Sequence, residues 1–186
     1  MKVSVFCSSS PTIDEKHIHL ATELGSGIAS RNWTLVSGGG KISSMGAVAK
    51  AARAGGAQTI GVIPDALVKI EFADHDSDQL HVVKDMRERK GLIEELSDAF
   101  VVLPGGAGTL EELFEIWVGR FLKFHNKPIV ILDPFDLYKP LLELINHLEA
   151  ENFVKPGMQE LIFWARSVDE ALNHIAGKST SPLWSV

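Results

Sequence analysis

The run Phe100-Val101-Val102-Leu103-Pro104-Gly105-Gly106-Ala107-Gly108-Thr109-Leu110-Glu111-Glu112 decides how the rest of the chain reads. Its four opening apolar residues, Phe100 to Leu103, have the pattern of a buried strand. Pro104-Gly105-Gly106 stops that strand and turns the chain, and Ala107-Gly108-Thr109 leads into a long helical pattern. A glycine loop ending at a helix N-terminus is an anion site, because its N–H groups point outward unpaired and the helix dipole favours negative charge there. Glu111 and Glu112 fall in the first helical turn, just behind that site. A glutamate there has a plain structural use, compensating the helix dipole by about 0.3–1 kcal/mol. Position alone does not separate that use from a chemical one.

Working outward, the strand begins near Asp98 and the helix continues to about Phe124. Leu110, Leu113, Phe114, Trp117, Val118, Phe121 and Leu122 trace one apolar stripe along it, with Glu112 nearly opposite the centre and Glu111 and Glu115 on the flank. Upstream, Asp85 caps a helix, with Glu88 three residues on as a capping box. Met86, Ile93 and Leu96 share one side of it at helical spacing. Arg89 falls on that same side and Lys90 borders it. A guanidinium on an inward stripe must snorkel, pair with a carboxylate, or face a polar cavity. The nearby glycine junctions favour the cavity.

The remaining segments repeat the strand–helix alternation. Val3, Val5 and Cys7 form a first strand, followed by the polar turn Ser8-Ser9-Ser10-Pro11-Thr12 and a helix from about Ile13 to Ser30. Trp33 to Val36 is a second strand. It runs into Ser37-Gly38-Gly39-Gly40, which suits a structural turn and a ligand contact equally, since both need glycine. A helix rich in small residues follows, from about Met45 to Ala52. Thr59 to Ile63, Leu80 to Val83, Pro128 to Leu132 and Leu161 to Trp164 are further strands. Helices are expected after Asp136 and after Ser167 or Asp169. The chain therefore reads as an α/β, doubly wound fold: a mainly parallel sheet with helices on both faces. One domain over residues 1–176 is expected, with 177–186 as a loose tail in which Leu183 and Trp184 could dock. Three polar or glycine-rich junctions, after Cys7, Val36 and Leu103, fall at strand carboxyl ends, where such sheets bind ligands.

Composition narrows the class further. At 186 residues, 45% hydrophobic and 23% charged, the chain suits one globular domain. A net charge of -6 without a Lys/Arg run argues against nucleic acid as a partner. The single Cys7 fits a reducing cytosol, and no apolar run approaches the roughly 20 residues of a membrane helix, so a cytoplasmic protein is expected. His17 and His19, two apart, point to different faces and make a poor metal pair. Asp74, Asp76 and Asp78 mimic the start of a calcium loop, but Gln79 and Asp85 stand where glycine and glutamate are needed. A solvated acidic loop is expected there, and no metal or cofactor. The first strand lacks Gly-x-Gly-x-x-Gly, which disfavours NAD and FAD. The Gly40-Lys41 pair lacks the flanks of a phosphate-binding Walker loop, and Gly-x-Ser-x-Gly is absent. What remains suits a monophosphate ligand with chemistry close to the phosphate, such as at the ribose.

Pro104-Gly105-Gly106-Ala107-Gly108-Thr109-Leu110-Glu111-Glu112, together with Met86-Arg87-Glu88-Arg89-Lys90, resembles the LOG ("Lonely Guy") family of cytokinin riboside 5'-monophosphate phosphoribohydrolases. Ser37-Gly38-Gly39-Gly40 with Met45-Gly46 resembles another of its glycine-rich blocks, and the likeness runs from Val3 to about Ala176. The resemblance implies a Rossmann-like homodimer. It would hydrolyse the N-glycosidic bond of N6-substituted adenosine 5'-monophosphates to free base and ribose 5-phosphate. Arg89 and Glu112 would be catalytic. Glu71, Arg89, Lys90, Gly105, Gly106, Ala107, Gly108, Thr109, Leu110 and Glu111 would contact substrate. Some members have been labelled lysine decarboxylases, but no pyridoxal-lysine context stands in this sequence. The chain departs from the family at Arg87, often histidine, at Ser43, often glycine, and at Val118, commonly threonine. The rival reading is a nucleotide or molybdenum-cofactor carrier with a similar glycine loop and no turnover, and a third is a subunit-assembly module.

Overall fold

The computed structural model describes residues 1–68 and 72–177. Within them, β1 (Lys2–Phe6), β2 (Thr34–Ser37), β3 (Thr59–Pro64), β4 (Gln79–Val83), β5 (Ala99–Val102), β6 (Ile129–Leu132) and β7 (Ile162–Ala165) form one sheet in the order β4-β3-β2-β1-β5-β6-β7. Every pairing is parallel, with Val3 opposite Leu35 on one side and Ala99 on the other. The central strands are buried along almost their whole length. That burial is why they appear in the sequence as continuous apolar runs rather than alternating ones.

The helices are α1 (Glu15–Ser30), α2 (Ser43–Ala54), α3 (Met86–Leu96), α4 (Ala107–Phe121), α5 (Lys139–Ala150) and α6 (Val168–Ile175). Helices α1, α2 and α6 pack on one face of the sheet around Leu24, Val48 and Leu172. Helices α3, α4 and α5 pack on the other around Ile93, Leu113, Trp117 and Ile145. The doubly wound α/β arrangement expected from the alternation of elements is therefore the fold. Small residues let α1 and α2 touch: a Cβ on Gly25 would come within 2.4 Å of the Val48 carbonyl oxygen. The winding reverses between β1 and β5, which opens a crevice at their carboxyl ends.

Caps follow the expected chemistry. Asp14 accepts from Lys16 at the start of α1, two residues later than the predicted onset, and Ser167 accepts from Glu170 at the start of α6. Asp85 accepts from Arg87 and Glu88, while the Glu88 carboxylate reaches back to the Lys84 N–H at 2.8 Å.

Two expectations are corrected. The acidic loop is solvated only in part: His75, Asp76 and Asp78 are exposed, but two of its carboxylates are engaged. Asp74 is 2% exposed and pairs with Arg53 at 2.7 Å, and Asp78 accepts the Thr59 N–H at 2.7 Å. These carboxylates tie the loop to α2 and β3. The apolar stripe of α4 is only half core: Leu113, Ile116 and Trp117 are buried, whereas Phe114, Val118 and Leu122 are exposed. The sheet contacts a face of the helix rotated from the centre of the stripe, leaving one apolar edge outward. The helix also ends at Phe121, not Phe124. Glu71 and the segment 178–186, with Leu183 and Trp184, lie outside the described residues. Among the described residues, no helix is long and apolar enough to cross a membrane.

Candidate active site

The crevice at the β1/β5 switch point holds a cleft of about 260 Å³. Two strand–helix junctions and the starts of two further helices wall it. Cys7 to Ser10, leaving β1, form one side. Gly106, Gly108 and Thr109, leaving β5 and opening α4, form the opposite side together with Glu111 and Glu112. Arg89 and Met86 of α3 and Met45 of α2 close the end.

Arg89 is 5% exposed, so the inward stripe read from its spacing is real. It neither snorkels to the surface nor lies along the sheet. Its Nη2 donates to the Gly38 carbonyl at 3.2 Å and its Nη1 contacts the Met86 sulfur at 3.6 Å. Its Nε is buried with no hydrogen-bond partner among the described residues. Burying a guanidinium donor unmatched costs free energy, so this end of the cleft is organised to receive an acceptor. The Gly38 junction therefore has a defined role: its carbonyl anchors the arginine. Gly39 beside it adopts φ 75°, in the left-handed region that favours glycine. Ser43, standing where the resembled family often has glycine, has φ 58° in the same region.

Glu112 is half-buried and lines the same cleft as Arg89. It also borders a void of about 10 Å³ shared with Phe6, Lys90, Glu94, Glu115 and Ile116, large enough for one water. Burial pushes the Cys7 thiol far up, the Glu112 carboxylate adds to that, and Arg89 opposes it. Cys7 is therefore a neutral wall of the cleft rather than a nucleophile.

The glycine loop is arranged as its spacing implies. Gly106 precedes α4 without any side-chain cap, and its carbonyl accepts the Leu110 N–H at 3.0 Å. Ala107 and Gly108 are exposed, and Thr109 is buried. Leu110 packs its side chain against the core, so only its backbone faces the loop. Gly105 is a close contact, since a Cβ there would fall 2.1 Å from Thr109 Oγ1.

Lys90 bridges α3 and α4, pairing with Glu111 and with Glu115, the latter at 2.7 Å. Its hydrogen bonds to Glu111 and then Glu115 raise its pKa. Lys90 lines the small void and Glu111 the main cleft, so the pair spans both. Cys7 to Ser10, Met45 and Met86 were not singled out from the sequence as site residues, although the junction after Cys7 signalled one wall. Tyr138, whose hydroxyl lies 3.1 Å from the Leu103 carbonyl and 3.2 Å from that of Gly105, gave no sequence signal.

Comparison with known proteins places this geometry in context. Residues 45–175 match the family described as "Possible lysine decarboxylase". The chain is 49% identical over 174 residues to a cytokinin riboside 5'-monophosphate phosphoribohydrolase of Mycobacterium tuberculosis, covering 94% of this chain and 92% of that protein. It is 44% identical, with the same coverage, to the protein of that name from Mycobacterium marinum. In fold it resembles a molybdenum cofactor binding protein from Rippkaea orientalis, with a TM-score of 0.72 over 95% of both chains at 20% identity.

Proposed function

Since the chain belongs to the LOG family, the group described as possible lysine decarboxylases whose relatives include cytokinin riboside 5'-monophosphate phosphoribohydrolases, we propose that it hydrolyses the N-glycosidic bond of N6-substituted adenosine 5'-monophosphates. The products are the free base and D-ribose 5-phosphate. The observation that carries the reading is the cleft shared by Arg89, Glu112 and the N-terminus of α4.

The mechanism follows from charge. As the C1'–N9 bond breaks, positive charge builds on the ribose, as in glycoside hydrolysis. The Glu112 carboxylate stabilises that charge and takes a proton from the attacking water, whose oxygen bonds C1'; the base leaves with the bonding pair and takes up that proton, which returns Glu112 to its carboxylate form. Arg89 lines the same cleft as Glu112 and offers its unmatched Nε–H to the nucleotide. The N–H groups of the Gly105 to Thr109 segment hold the 5'-phosphate and so fix C1', with Leu110 closing the first turn behind them. Lys90 and Glu111 form the adjoining wall and meet the substrate there, and Glu71 is the remaining substrate contact. The reaction uses no cofactor.

Phe114, Val118 and Leu122 stand one helical turn apart on the exposed edge of α4. This apolar edge suits a second copy of the chain, and the protein acts as a cytoplasmic homodimer. Light scattering should return twice the chain mass.

The test of function is incubation with isopentenyladenosine monophosphate and with AMP, followed by chromatography. Free base and ribose 5-phosphate should appear in equal amounts. If neither product formed with any monophosphate, the carrier reading would replace this one.

A further inference from the structure

We propose that Tyr138 is a positioning residue that sets the orientation of the glycine loop toward the substrate phosphate. The inference rests on the reading that this loop holds a 5'-phosphate.

The loop cannot orient itself. Gly105 and Gly106 have wide backbone freedom, and α4 has no side-chain N-cap to fix its entry. Tyr138, packed in the core, supplies the constraint. It is 4% exposed, and its hydroxyl is within hydrogen-bond distance of the Leu103 and Gly105 carbonyls, at 3.1 and 3.2 Å. A hydroxyl has one proton to donate, so the two carbonyls share it.

The consequence for the cleft comes from peptide geometry. In a trans peptide the C=O and the following N–H point in opposite directions, and the described residues contain no cis bond. Turning the Gly105 carbonyl toward Tyr138 therefore turns the Gly106 N–H away from the tyrosine, at a residue that itself borders the cleft. The next peptide is fixed separately, by the Gly106 carbonyl accepting from Leu110. Together these bonds hold two successive peptide planes of the anion site.

Tyr138 is itself held. Asp133, 5% exposed, accepts the Tyr138 N–H at 2.7 Å and the Phe135 N–H at 3.3 Å, and Arg166 donates to the Asp133 carbonyl at 3.2 Å. A support therefore runs from the end of β7 through the end of β6 to the loop after β5. Burial pushes the Tyr138 hydroxyl up, so it remains a donor. Packing alone would be met by phenylalanine, because the ring fills the core and only the hydroxyl reaches the loop.

Tyr138→Phe tests this. Calorimetric binding of ribose 5-phosphate and of inorganic phosphate should weaken about 5–10-fold, the size of one hydrogen bond. KM for a monophosphate should rise by the same factor while kcat changes less, since a phosphate contact is made equally in the ground state and the transition state. Binding of phosphate-free ribose should not change. Asp133→Asn, which keeps the shape and weakens the acceptor, should give a smaller shift of the same kind and serves if Tyr138→Phe does not fold. Wild-type affinity for ribose 5-phosphate in either folded variant, or equal losses with and without the phosphate, would overturn the proposal. So would a wild-type protein that binds neither phosphate ligand. A wild-type protein that binds ribose 5-phosphate but cleaves no monophosphate would sink the hydrolase reading alone.

Discussion

Gly38 is the seat of Arg89: the guanidinium donates to the Gly38 carbonyl at 3.2 Å, and a Cβ on Gly38 would stand 1.9 Å from the same Nη2. The obstructing atom is the far end of a flexible side chain, so Gly38→Ala should move the arginine rather than the sheet. Hydrolysis should fall at least tenfold, while the Tm drops by only a few degrees, on the scale of about 1 kcal/mol. Gly91→Ala on the same helix, where an added Cβ meets nothing within 4 Å, is the control. It should leave activity unchanged and stabilise slightly, by about 0.5–1 kcal/mol. Steady-state rates and thermal melts of both variants check the pair.

Arg89→Ala and Glu112→Ala should each reduce kcat/KM by roughly 10²–10³-fold or more, the cost of removing a group that meets developing charge. Glu112→Gln, nearly the same shape without the charge, should lose as much as Glu112→Ala. If either folded alanine variant turned over near the wild-type rate, the assignment of these two residues would fail.

The glycine loop separates steric from ligand effects. At Gly106 and Gly108 a Cβ meets no protein atom within 4 Å, so alanine at either should fold with an unchanged or slightly raised Tm. Because the added methyl enters the space of the bound phosphate, KM for the monophosphate should rise about tenfold or more, as for a displaced anion contact. Gly105→Ala differs, because its Cβ would meet Thr109 Oγ1 at 2.1 Å. That variant should lose both stability and affinity, which paired melts and binding titrations would report.

Stability should decline in mild acid. His174, stacked on Phe163 at 3.9 Å, and His17, edge-on to Phe135, both titrate below the usual 6.5, chiefly because burial disfavours the charged ring. Just below pH 6.5 the unfolded chain therefore binds more protons than the folded one, and stability falls with pH. Their contribution is complete above about 6.5 and is lost as the pH drops through the folded values. Asp78, held below 3.8 by the Thr59 N–H, adds a second loss at lower pH. Urea unfolding at pH 7.5 and 5.5 should show the first decline, and His174→Asn should flatten it.

The strands and their order of appearance were legible because a parallel sheet covered on both faces needs uninterrupted apolar runs such as Phe100 to Leu103. The glycine junction was legible because a turn into a helix N-terminus is written locally. Arg89 was legible as inward from its place between Met86 and Ile93. The exposure of Phe114, Val118 and Leu122 was not, since an apolar residue reads the same whether it meets the core or an open face. Nor was the burial of Asp74, whose partner Arg53 lies in another element.

By itself, then, the sequence determined the elements, the parallel α/β class and the glycine loop at a helix N-terminus, all of which depend on neighbours within a turn or a strand. Only the tertiary structure decided that Glu112 of α4 and Arg89 of α3 share one cleft, that Lys90 pairs with Glu111 and Glu115, and that the Tyr138 hydroxyl reaches the Leu103 and Gly105 carbonyls. Those relations join residues far apart in the chain. They exist because the winding reverses between β1 and β5, and that reversal is a property of how the strands are ordered in space rather than of any stretch of residues.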